Sequence, residues 1–259
     1  MMARWWLPPL MMVLGAPLWL HWWEPAMFIA INQACAIVPT LVWTTLSLGG
    51  NVWGVLALTA PFLVLAPRFL WAWLCAAPLA AVFVRLGKEY LPSLRPAAVI
   101  DHAQMHFVGE PLELASMPSG HTLTAFAVVG SIYFAIAQDR RASFAWLWLL
   151  AALVGLSRMA LGAHWPGDVL MGAALGLWAA AVGQLLFTRL GSAFTDPRNW
   201  RMRALAAVFG LCLWQLLDAP LDYDENRAPQ KVLAALVGLV LLRFANQQRR
   251  GQANEQENK

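Results

Sequence analysis

Apolar runs long enough to cross a bilayer recur along this chain, and no other feature limits its fold so strongly. A hydrocarbon core about 30 Å thick takes about 20 helical residues. Runs approaching that length lie near residues 5–22, 50–66, 69–87, 120–137, 143–159, 167–188, 203–217 and 231–245. Irregular backbone cannot face lipid, so all eight are predicted as helices. Composition agrees: charged residues make up 12% of the 259 positions and Trp occurs 15 times, against roughly a quarter charged in a soluble domain. The fold class is therefore all-α, a polytopic integral membrane protein.

Trp5 and Trp6 at one end of the first run and Trp22 and Trp23 at the other fit two interfacial belts about one bilayer apart. No small-residue cleavage site follows, so the run is expected as a retained helix rather than a leader. Residues 24–48 are apolar but broken by Pro25, Asn32, Gln33 and Pro39, which predicts a segment that lies in the interface or re-enters the bilayer. With the N-terminus cytoplasmic and the eight spans alternating, twelve basic residues, among them Arg198 and Lys259, fall inside. Six remain outside: Arg85, Lys88, Arg95, Arg158, Arg227 and Lys231. That asymmetry obeys the positive-inside rule. The net charge of +4 is thus a topology signal, and no basic patch with interleaved aromatics points to nucleic acid. Cys35, Cys75 and Cys212 stand far apart in apolar surroundings and read as buried thiols. The polar tail after residue 245 is expected to be disordered, and the acidic loop at 218–225, within DAPLDYDENRAPQ at 218–230, to be a solvated connection rather than a cation site.

This topology brings three polar segments to one membrane face. KEYLPSLRP carries Lys88 and Arg95, seven residues apart. PSGH, at 118–121, places Ser119 where a helix N-cap belongs, so that unpaired amides, a positive dipole end and the side-chain-free Gly120 make an anion site beside His121. SRMALGAHWPGD, at 157–168, carries Arg158, His164 and Asp168. Pro166 suits a first helical position, and Asp168, four residues after His164, is placed to accept its imidazole N–H. A carboxylate there fixes the tautomer that a nucleophilic or basic imidazole needs. Three cations, a helix N-terminus, two histidines and one orienting acid describe a phosphoryl-transfer site with no metal and no cofactor. Taken singly, Lys88 and Arg158 could be snorkelling cations, His164 a structural histidine and Asp168 a dipole-compensating acid; their joint spacing argues otherwise. His102, His106, Glu110 and Glu113 are assigned to a solvated loop, since their spacing matches no metal pattern.

Lys88 with Arg95-Pro96, PSGH, and Ser157-Arg158 followed by His164 and Asp168 together resemble the three-part signature of the type 2 phosphatidic acid phosphatase superfamily. The likeness runs from about residue 50 to 188, with Met117 where an aromatic often precedes PSGH. The resemblance implies a six-helix catalytic core with two further C-terminal helices. Domain limits follow as 1–49 for an N-terminal helix and interfacial segment, 50–188 for the core, 189–245 for the C-terminal helix pair and 246–259 for the tail. It also implies that His164 is the nucleophile of a phosphohistidine intermediate, oriented by Asp168, and that His121 is the general acid. Lys88, Arg95, Ser119, Gly120 and Arg158 would bind the phosphate.

The activity so implied is hydrolysis of a lipid phosphate or diphosphate taken from the outer leaflet, undecaprenyl diphosphate first, with phosphatidylglycerophosphate or phosphatidic acid as alternatives. The setting that suits it is a bacterial inner membrane, with the site facing the periplasm and both termini cytoplasmic. Two rivals use the same residues. One is a phosphotransferase that hands the phosphate to a hydroxyl, for example on lipid A. The other is an anion or lipid transporter, which would have no use for a His164–Asp168 pair. The sequence leaves the oligomeric state open.

Overall fold

The computed structural model describes residues 3–190, 192–196 and 199–257; Arg198 and Lys259 lie outside them. Among the described residues every regular element is helical. Three helical stretches, 67–90, 166–187 and 224–250, are long and apolar enough to cross a membrane, or up to five if two bent pairs each count as one span. The protein is an all-helical, polytopic membrane protein.

Each of the eight apolar runs is helical, but several are interrupted. The first is split at Gly15 into α1 (Ala3–Leu14) and α2 (Ala16–Trp19). Residues 24–48 form α3 (Ala26–Cys35) and α4 (Thr40–Ser47), which meet at 110°. Pro39 favours extended backbone before it and has no amide to offer the helix, so the turn falls there. The second run divides at Pro61 into α5 (Val52–Thr59) and α6 (Phe62–Leu65), and the third becomes α7 (Pro67–Leu74) and α8 (Ala77–Tyr90). Then come α9 (Gly120–Ala135), α10 (Leu147–Ala160), α11 (Pro166–Phe187), α12 (Trp200–Asp218) and α13 (Arg227–Glu257). The tail was expected to be disordered; among the described residues α13 continues to Glu257, because Gln, Arg, Ala and Glu propagate a helix already begun.

α11 is the central helix and α9 is its main partner. Lipid offers helices no hydrophobic reason to associate, so close packing through small residues must do it. Gly172, Ala173, Gly176, Ala179, Ala180 and Gly183 are all buried on α11, at spacings of three and four that share a face. A Cβ added at Gly176 would lie 2.4 Å from the Leu123 carbonyl oxygen and 2.9 Å from Phe126 Cβ. Gly176→Val is therefore expected to cost about 1–3 kcal/mol, read as a lowered thermal midpoint in detergent; an unchanged midpoint would mean that α9 and α11 have room between them.

The C-terminal pair is not an appendage. Phe209, Cys212 and Leu216 of α12 and Val237 and Phe244 of α13 share one core with Leu56, Leu63 and Leu70. This places the α12–α13 connection, residues 219–226, beside the three polar segments.

Candidate active site

α10 ends at Ala160, and Gly162 takes a left-handed φ of +76°, a conformation that glycine alone adopts freely. The resulting turn lets the amides of Ala163 and His164 donate to the Arg158 carbonyl at 2.9 and 3.2 Å. Trp165 precedes α11, Pro166 opens it without losing a hydrogen bond, and Asp168 falls in the first turn. The Asp168 side chain is fully buried. Its Oδ2 accepts from the Trp165 amide at 2.9 Å and from Ser116 Oγ at 2.5 Å, and lies 3.3 Å from His164 Nδ1. Oδ1 has no hydrogen-bond partner. With Nδ1 engaged, Nε2 is the His164 nitrogen left for the cavity that the ring lines. Burial, opposed by the hydrogen bond and charge of Asp168, lowers the His164 pKa to about 3. The ring is therefore neutral near pH 7, and Nε2 keeps its lone pair.

Ser119 caps α9 through its side chain, which accepts from the Thr122 amide, while its own amide donates to the Asp168 carbonyl at 3.0 Å. Its hydroxyl also takes a bond from Thr122 Oγ1 at 2.9 Å, and the residue is fully buried. Ser119 thus stands behind the cavity wall, committed to holding α9 against α11. Gly120 and His121, the next two residues, line the cavity.

Lys88, Arg95 and Arg158 complete the wall, and the cavity encloses about 480 Å³. Their partners are neutral oxygens. Lys88 Nζ donates to the Ala115 carbonyl at 2.6 Å, and Arg95 donates to the carbonyls of Leu114 and Ala163, each at 3.0 Å. Arg158 Nη1 donates to Ser47 Oγ at 2.5 Å. Among the described residues none of the three is ion-paired to a carboxylate. Arg95 and Arg158 are 8% and 4% exposed, and buried charge without a countercharge is costly. An anion entering the cavity would meet all three cations.

The structure also brings in residues that motif spacing did not show. α4 delivers Ser47 to Arg158, 111 positions away in sequence. The bent pair is tied down by the fully buried Asn32, which donates to the carbonyls of His106 and Met159 and accepts from the His106 amide. The acidic residues of the 218–225 loop are exposed, as expected of a solvated connection, but Asp222 also lines the cavity, and its Oδ2 lies 3.0 Å from His121 Nε2 and accepts from Asn51 Nδ2 at 3.1 Å. Burial pushes the Asp222 carboxyl up, but His121, with Arg158 and Asn51, outweighs it and holds the pKa below the ordinary carboxylate value. Tyr223 lies under the Arg158 guanidinium, 5.7 Å from ring centre to Cζ. Of the outer loop, Glu110 lines the cavity, whereas His102 bonds the Ala97 carbonyl and packs on Phe107. Arg85 faces a second cavity of about 610 Å³, walled largely by apolar side chains such as Val55, Trp73 and Val84, which meets the first at Gly120 and His121.

Comparison with known proteins finds partial likenesses. Residues 69–191 match the model of the PAP2 superfamily. A lipid A 1-phosphatase of Rhizobium johnstonii is 34% identical over 86 residues, 33% of this chain and 34% of that one. An undecaprenyl-diphosphatase of Sulfolobus acidocaldarius is 31% identical over 104 residues, 39% of this chain and 46% of that one. The chain thus spans a third to under half of the length of these relatives. The crystal structure of Aquifex aeolicus LpxE superposes with a TM-score of 0.53 at 25% identity, covering 61% of this chain and 92% of that one. All three polar segments, with their two histidines and three cations, fall inside the stretch that matches the PAP2 superfamily model, residues 69–191.

Proposed function

We propose that this protein is a lipid phosphatase that works without a metal through a phosphohistidine at His164. The observation that carries the reading is the set of three cations, unpaired with any described carboxylate, around a neutral histidine whose Nδ1 is held by Asp168. His164 Nε2 attacks phosphorus as the bond from phosphorus to the lipid oxygen breaks, and the electron pair leaves on that oxygen, which takes a proton from His121. Lys88, Arg95, Arg158 and the Gly120 amide hold the phosphoryl oxygens, whose charge is spread in the transition state. Water then attacks the phosphohistidine, giving up a proton to His121 and releasing inorganic phosphate and the free imidazole.

Hydrocarbon needs room beside such a site, and the apolar cavity that meets the polar one at Gly120 and His121 supplies it. The relatives' names make lipid A 1-phosphate and undecaprenyl diphosphate the first substrates to try. The basic residues, more numerous on the side assigned to the cytoplasm, support a site facing the periplasm from the inner membrane, with both termini cytoplasmic and substrate drawn from the outer leaflet.

The test is phosphate release by the purified protein in detergent with EDTA present. The panel is lipid A, undecaprenyl diphosphate, phosphatidylglycerophosphate and phosphatidic acid, with a His164→Ala blank. Release that depends on His164 and ignores EDTA is expected. Release abolished by EDTA would refute the metal-free mechanism, and none from any lipid would turn the search to a hydroxyl acceptor.

A further inference from the structure

We propose that Asp222, carried by the α12–α13 connection outside the matched domain, is the positioning residue of the acid histidine, holding His121 as the protonated donor that the leaving oxygen requires. The inference rests on the phosphatase reading above and adds a second carboxylate–histidine pair to it.

The two histidines of the site have opposite needs. His164 must offer a lone pair and is neutral. His121 must offer a proton, so it has to be an imidazolium when the lipid oxygen leaves. Its surroundings oppose that charge: Arg95, Arg158 and Lys88 line the same cavity. The countercharge in contact with it is Asp222, 3.0 Å from Nε2. A carboxylate at that distance favours the cation and fixes the ring. It also settles which proton is delivered: Nε2–H is committed to Asp222 Oδ2, so Nδ1–H goes to the leaving oxygen.

Asp222 is itself held. Asn51, which caps α5 by accepting from the amides of Trp53 and Gly54, donates its Nδ2 to the same Oδ2. Tyr223, the next residue, is 9% exposed and lies against Arg158. Asp222 has a φ of +59°, a region that Asp and Asn tolerate better than most residues. Asp222→Asn therefore removes the charge while keeping the size and the backbone.

Two measurements on the full chain test this. The first compares dodecyl phosphate, whose alkoxide must be protonated, with 4-nitrophenyl phosphate, whose phenolate leaves unaided. Asp222→Asn is expected to lower kcat for dodecyl phosphate by at least about tenfold and for the nitrophenyl ester by much less. In a His121→Ala background it should cost nothing further. Equal losses on both esters, no loss, a gain in rate, or a further loss without His121 would each overturn the proposal. The second follows protonation of the His121 ring by 15N NMR, which needs no turnover. Its midpoint is expected to fall by about one pH unit or more in Asp222→Asn, and an unmoved midpoint would overturn the proposal. Wild type inactive on both esters would instead count against the phosphatase reading, and the NMR result would still decide the role of Asp222.

Discussion

His164→Ala is expected to lower phosphate release by at least about a thousandfold while the protein still folds and still binds inorganic phosphate. The imidazole lies beside the polar cavity, so the volume it vacates joins space already open and leaves no sealed void in the core. Asp168 keeps its bonds from Ser116 and the Trp165 amide. Lys88, Arg95 and Arg158 keep their carbonyl and hydroxyl partners, apart from any shift of the His164 backbone. Steady-state release, a thermal midpoint in detergent and phosphate binding by calorimetry read the three parts separately. A variant with more than a few per cent of wild-type turnover would show that the covalent step belongs to another group.

Asp168→Asn should cost less, on the order of a hundredfold in kcat, together with about 1–3 kcal/mol of stability. Oδ2 accepts from three donors that a neutral amide can satisfy only in part. If the amide oxygen keeps Ser116 and the Trp165 amide, its NH₂ can turn to Nδ1 only by forcing the imidazole proton onto Nε2, where the lone pair is needed. Wild-type kcat in this variant would remove the orienting role from Asp168. A lowered midpoint with kcat unchanged would make it a purely structural carboxylate.

Much of the site was legible because its residues are local in sequence. His164 and Asp168 are four residues apart, one helical turn, so a single start signal at Pro166 places both. PSGH likewise announces a helix start, and the eight apolar runs are all helical. Asp222 and Ser47 were not legible, since each meets its partner across more than a hundred residues. Nothing in DAPLDYDENRAPQ separates Asp222 from Asp218, Asp224 or Glu225; only the packing of α12 and α13 against α5 and α6 selects it. The cap at Ser119 was read correctly: its hydroxyl accepts from Thr122, and the residue is fully buried. The breaks at Gly15 and Pro61 and the helical course of α13 to Glu257 also escaped a reading by hydropathy alone, which measures solvent preference and not axis direction.

On the phosphatase reading proposed above, the neutral anchors of Lys88, Arg95 and Arg158 have a consequence for the end of the cycle. Carbonyl oxygens fix Lys88 and Arg95, and the Ser47 hydroxyl fixes Arg158, before any ligand arrives, so a tetrahedral oxyanion finds the donors already aimed. Inorganic phosphate meets that grip as fully as the phosphoryl group of a lipid does, and a grip common to both cannot tell them apart. Discrimination between what enters and what must leave falls to the hydrocarbon and its apolar cavity. Free phosphate is then a natural competitor, and its departure, rather than bond cleavage, can limit the rate where phosphate is plentiful.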